Sequence, residues 1–95
     1  MAEYRTHMKI IGDILYTAQD NLQDEDGASV THLIRKANIS HSRISGILKT
    51  LVSQGLLEQV KSQGSSKYKI SQSGREFLQA YYKFARFADN FGLTI

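Results

Sequence analysis

The sequence predicts a mainly α fold with a small β-hairpin (α+β): four helices, with the hairpin inserted between the third and the fourth. Three observations carry this. Apolar residues recur at three- and four-residue steps in separated stretches, which is the signature of helices with one buried face. Serine, asparagine and glycine stand where those stretches begin and end. Between Gly55 and Ser71 the helical period gives way to strand-like alternation, clearest in Lys67-Tyr68-Lys69-Ile70.

The first helix is expected over Arg5 to Leu22. Met8, Ile11, Leu15, Ala18 and Leu22 form its stripe, widened by Ile10 and Ile14, and Gly12 interrupts it at a small cost in helix propensity. Gln23-Asp24-Glu25-Asp26-Gly27 reads as an acidic loop without the ligand spacing of a calcium site. Ala28-Ser29-Val30 is a very short strand candidate. Thr31 is then expected to cap a short helix, His32 to Ala37, whose inward face is Leu33, Ile34 and Ala37. Asn38 tolerates the left-handed conformation that ends a helix, and Ser40 can cap the next one.

That third helix, His41 to Gln54, is the best defined. Ile44, Ile47, Leu48 and Leu51 make one apolar stripe, and Gly55 follows where a terminating glycine belongs. Its other face carries His41, Ser42, Arg43, Ser45, Gly46, Lys49, Thr50 and Ser53, with no carboxylate among them. Helices that are merely solvated mix acids with bases. Leu56 to Val60 and Lys67 to Ile70 are the hairpin strands, joined by an open tip at residues 61–66. Ser71 can cap a last helix, Gln72 to Asn90. Along it Phe77, Tyr81, Phe84, Ala88 and Phe91 form one stripe and Leu78, Tyr82 and Ala85 another, which is more apolar surface than a small monomer leaves exposed.

With 95 residues the chain suffices for one core, and a marginal one, so burial against a second subunit would stabilise it. The organisation expected is one folded unit over residues 1–70 and a dimerisation helix over 71–95, with Phe77, Tyr81, Phe84, Ala88 and Phe91 in the subunit seam. No cysteine is present, which removes disulfides, thiolate metal sites and cysteine nucleophiles. His7, His32 and His41 lie on different expected helices without ligand spacing, so no metal is expected. There is no nucleophile elbow and no glycine-rich phosphate loop, so neither an enzyme nor a cofactor is expected. The charged N-terminal stretch has no signal-type or membrane-length apolar run, and a soluble, cytoplasmic protein is expected, with no membrane partner and no evident small-molecule ligand.

The formal net charge of +3 conceals a strong asymmetry. Residues 1–31 carry a net −4, residues 32–70 a net +6, and the remainder +1. A central segment so one-sided suits a polyanion, and nucleic acid is the commonest one in a cell. Arg43 is the first candidate for a base-edge contact, through its bidentate fork, with His41, Ser42 and Ser45 beside it near the helix N-terminus. Lys49, Thr50, Lys61, Lys67 and Lys69 are candidates for phosphate contacts, as are Arg35 and Lys36. Ser62, Gln63 and Ser65 at the hairpin tip could reach a minor groove. The other reading is a protein-interaction adaptor that docks an acidic partner on the same basic face.

The order of elements, and the run from Val30 to Glu58 with its Leu51-Val52-Ser53-Gln54-Gly55-Leu56-Leu57-Glu58 junction, resembles the winged helix-turn-helix regulators. Two further motifs are similar to archaeal winged-helix proteins of the Sulfolobus 10a type. These are the Tyr-Arg-x-x-x-x-Ile-Ile-x-x-Ile-Leu start at Tyr4 to Leu15 and the Tyr-Lys-Ile-Ser-x-x-Gly-x-x-Phe-Leu entry at Tyr68 to Leu78. The resemblance implies double-stranded DNA as partner, a transcription-regulating or nucleoid-associated role, and a homodimer whose last helices pack as an antiparallel coiled coil. The chain departs from that pattern in its short last helix, its aromatic seam and the acidic residues Asp24 to Asp26.

Overall fold

The computed structural model describes residues 6–20, 28–62, 64–93 and 95. Arg5, Leu22, the acidic stretch 23–27, Gln63 and Thr94 lie outside the described residues. Seven elements follow one another: α1 (His7–Asp20), β1 (Ala28–Ser29), α2 (Val30–Ala37), α3 (His41–Ser53), β2 (Leu57–Ser62), β3 (Ser65–Ile70) and α4 (Gln72–Asp89). The fold is therefore mainly α with a small antiparallel sheet, as the periodicities predict.

Each helix starts where a hydroxyl can take an orphan amide. Thr6 Oγ1 accepts from the Lys9 amide at 3.0 Å at the head of α1. Ser40 accepts from the Arg43 amide at 3.3 Å, and Asn38 closes α2 in the left-handed region with φ 57°. At the head of α2 the structure corrects the expectation. Ser29, not Thr31, is the cap: its extended backbone lets Oγ accept from the His32 amide at 3.2 Å, and Val30 and Thr31 are already helical.

The core is one cluster whose largest fully buried members are Ile10, Ile14, Leu15, Leu33, Ile44, Leu48 and Leu57. α1 buries Ile10, Ile14, Leu15 and Ala18, so its inward face is turned from the stripe the sequence suggests: Ile11 is half-buried and Met8 exposed. The reason is that α1 packs against α2, β3 and α4 together, which widens its covered arc toward Ile10 and Ile14. Leu78 and Tyr81 of α4 belong to the same cluster as the residues before them.

The sheet has the order β1-β3-β2. β2 and β3 pair antiparallel from Leu57 opposite Ile70 to Ser62 opposite Ser65. Pairing thus runs further than expected, into the expected open tip at residues 61–66, where Lys61 stands opposite Ser66 and Ser62 opposite Ser65, and Gly64 has φ 82°. β1 adds Ala28 opposite Tyr68 and Ser29 opposite Lys67, tying the start of α2 to the hairpin.

The junction between α3, β2 and α4 fixes the hairpin against α3. α3 ends at Gly55, φ 81°, with the Gly55 amide on the Val52 carbonyl at 3.0 Å and the Leu56 amide on the Leu51 carbonyl at 2.9 Å. Ser71 closes the junction from the other side. Its hydroxyl donates to the Gly55 carbonyl at 2.6 Å and accepts from the Gly74 amide at 3.0 Å, capping α4. Gly74 lies so close to the Leu56 carbonyl and Ile70 that a Cβ there would collide with both.

Candidate nucleic-acid interface

The helical period that buries Ile44, Ile47, Leu48 and Leu51 leaves His41, Ser42, Arg43, Ser45, Gly46, Lys49, Thr50 and Ser53 exposed on α3. Three of the four hydroxyls on this face are turned back on the helix, while Ser42 Oγ lies 3.5 Å from Ser40 Oγ. Ser45 Oγ donates to the His41 carbonyl at 3.0 Å, Thr50 Oγ1 to that of Gly46 at 3.2 Å, and Ser53 Oγ to that of Thr50 at 3.0 Å. Those three oxygens therefore present lone pairs, and the long donors of the face are Arg43, Lys49 and His41. Gly46, in the middle of it, has no atom within 4 Å of where a Cβ would stand.

Two depressions flank this face. One, about 250 Å³, lies between α1 and α3, with His7 and Ile11 on one side and Arg43, Gly46 and Thr50 on the other. The second, about 330 Å³, lies between α3 and the sheet. It brings His41, Ser45 and Lys49 together with Gln59 and Tyr68 over a floor of Val30, Leu48 and Val52. The candidate contact residues of α3 are thus divided: Arg43 and Thr50 on the α1 side, His41, Ser45 and Lys49 on the hairpin side.

Strand alternation divides the hairpin lysines too. Leu57, Gln59 and Lys61 share one sheet face with Ile70, Tyr68 and Ser66, and this is the face that enters the core at Leu57 and Ile70. Lys67 and Lys69 stand on the other face with Glu58 and Val60, Lys69 directly opposite Glu58. Lys61 and Lys69 are exposed and Lys67 half-buried; Arg35 and Lys36 are exposed in the last turn of α2. Sequence reasoning missed Gln59 and Tyr68. The signal available was the alternation itself, which puts a tyrosine on the inward face with a hydroxyl to accommodate.

On α4, Tyr81 is buried in the core cluster, Phe77 packs half-buried against it, and Ala88 is buried without belonging to that cluster. Of the expected seam, Phe84 and Phe91 remain exposed, at 57% and 67%, and Phe87, which sequence reasoning passed over, joins them at 59%. The Phe87 and Phe91 rings meet edge to face with centroids 5.2 Å apart. On the opposite flank Tyr82 meets Tyr16 of α1 at 6.5 Å, and desolvation, with the neighbouring Tyr16, Asp13 and Tyr81, raises the Tyr82 hydroxyl above its ordinary pKa.

Among the described residues no three histidine or carboxylate side chains gather to hold a metal ion, and no helix is long and apolar enough to cross a membrane. No curated protein matches the chain in sequence. Solved structures do match in fold. Sso10a-2, a DNA-binding protein from Sulfolobus solfataricus, superposes with a TM-score of 0.80 at 23% identity over 92% of this chain and 85% of that one. AF1382 from Archaeoglobus fulgidus gives 0.70 at 15% identity over 86% and 89%. BpsR from Bordetella bronchiseptica, whose DNA binding is regulated by 6-hydroxynicotinic acid, gives 0.72 at 15% identity over 85% and 57%. A family model described as winged helix-turn-helix matches residues 4–89. The helix pair α2–α3, the paired hairpin behind it and this match agree: the chain belongs to the winged helix-turn-helix family.

Proposed function

We propose that the protein binds double-stranded DNA as a homodimer, acting as a transcription regulator or chromatin-associated protein of the Sulfolobus 10a type. The observation that carries the reading is the outward face of α3: eight exposed residues, three of them with long donors and none acidic, on a rigid helix beside a basic hairpin. Such a face suits the major groove, where Arg43 can address a base edge while Lys49, with Lys61 on the hairpin, neutralises phosphate. The description of Sso10a-2 as a DNA-binding protein supports the same reading.

Homodimerisation rests on α4. Phe77, Ala80, Phe84, Phe87 and Phe91 recur at alternating three- and four-residue steps, a seven-residue repeat along one flank of the helix. Phe84, Phe87 and Phe91 are exposed together, and a second copy of the helix would cover them. In this proposal residues 71–95 serve both as the outer layer of the core and as the dimerisation element, and the protein works in the cytoplasm on the nucleoid.

Nuclear magnetic resonance of the ¹⁵N-labelled protein titrated with a short duplex tests the assignment of the surface. Shifts concentrated at residues 41–50 and at Lys61 are expected. Shifts confined to α1 or α4, with α3 unmoved, would contradict it.

A further inference from the structure

The depression between α3 and the sheet has a feature that packing alone does not explain. Tyr68 is only 9% exposed, yet its hydroxyl makes no hydrogen bond among the described residues. Among the described residues no buried side-chain oxygen is left without a partner, so the hydroxyl of this otherwise buried ring reaches solvent, and the depression is lined by Tyr68. Around it stand Lys49, His41 and the Gln59 side chain, whose amide nitrogen donates to Ser66 Oγ at 3.0 Å. No carboxylate lines the depression, while Val30 and Val52 supply an apolar wall.

We infer that this depression seats one sugar–phosphate unit of a duplex strand, with the Tyr68 hydroxyl and the Lys49 ammonium on the phosphate. The inference rests on the DNA-binding reading of α3 and names Tyr68 as a backbone-positioning residue within it. The chemistry of the lining selects the occupant. An ammonium and a tyrosine hydroxyl line the same depression with no carboxylate beside them, and the oxygens of one phosphate can accept from both. A free phosphate would leave the valines uncovered, whereas a deoxyribose carries carbon-bound hydrogens to lie against them. A volume of about 330 Å³ is ample for such a unit. The contact carries no sequence information, so its role is to fix how α3 lies in the groove.

Tyr68→Phe removes the hydroxyl and keeps the ring. Because that hydroxyl reaches solvent and bonds no other described residue, the melting temperature of the variant should equal that of the wild type. Affinity for fluorescein-labelled duplexes, read by anisotropy, should fall about three- to tenfold, equally on every sequence, with the salt dependence unchanged because no charge is lost. Lys49→Gln, in the same depression, should instead lower the slope of log K against log salt by about one. If Tyr68→Phe binds duplex within twofold of a wild type that does bind, this inference is overturned and the DNA-binding reading stands. If the wild type binds no duplex, both fall.

Discussion

The ring of Tyr81 lies across Gly12. A Cβ at residue 12 would stand 2.7 Å from Tyr81 Cε2, inside any tolerable contact, and the ring is buried with its hydroxyl on the Ile95 carbonyl at 3.4 Å. The glycine that weakens α1 by propensity is what lets α4 approach it. Gly12→Ala should therefore destabilise the protein by about 1–2 kcal/mol, because overpacking outweighs the roughly 1 kcal/mol gained in helix propensity. Denaturant unfolding monitored by circular dichroism measures it; equal or greater stability would mean that the ring is free to move aside.

The same substitution should have the opposite sign at Gly46. That position is helical and exposed, and a Cβ there meets nothing within 4 Å. Gly46→Ala should raise the unfolding free energy by about 0.5–1 kcal/mol, since only the propensity difference remains. A thermal melt of the two variants side by side tests the contrast.

Ser71→Ala removes two bonds at once, the cap on the Gly74 amide and the donation to the Gly55 carbonyl. A loss of about 1–2 kcal/mol is expected. Hydrogen exchange should accelerate first at the start of α4 and at the end of α3, which the serine joins; exchange altered only within α4 would show that the second bond contributes nothing.

How much of this could be read from the sequence differs by element. The inward stripe of α3 and the caps Asn38, Ser40 and Ser71 were legible, because periodicity and local hydrogen bonding act over a few residues. The reason for Gly12 was not, since Tyr81 is distant in sequence. α4 shows the limit most clearly. Phe77, Phe84 and Phe91 can be continued through Tyr81 and Ala88 or through Ala80 and Phe87, two stripes separated by about 100° on the helix. Only the position of α1, which covers Tyr81, decides which flank is left bare. Likewise the lysines of the hairpin are visible in the sequence, but the register that sends Lys61 to one face and Lys67 and Lys69 to the other belongs to the folded sheet. The carboxylate-free face of α3 was legible as composition; its division between two depressions was not.

Phe87→Glu places a charge in the middle of the exposed aromatic flank. Light scattering after size exclusion should give twice the chain mass for the wild type and the monomer mass for the variant, with helicity retained because Phe87 takes no part in the core. An unchanged dimer would move the interface away from α4.

The most direct test of the central claim is a titration of the wild type onto a labelled 20-base-pair duplex at several salt concentrations between about 50 and 200 mM. The account predicts saturable binding whose log K falls linearly with log salt, with a slope of several units set by the phosphates that α3 and the hairpin neutralise. No binding at the lowest salt, or binding that does not respond to salt, would contradict it.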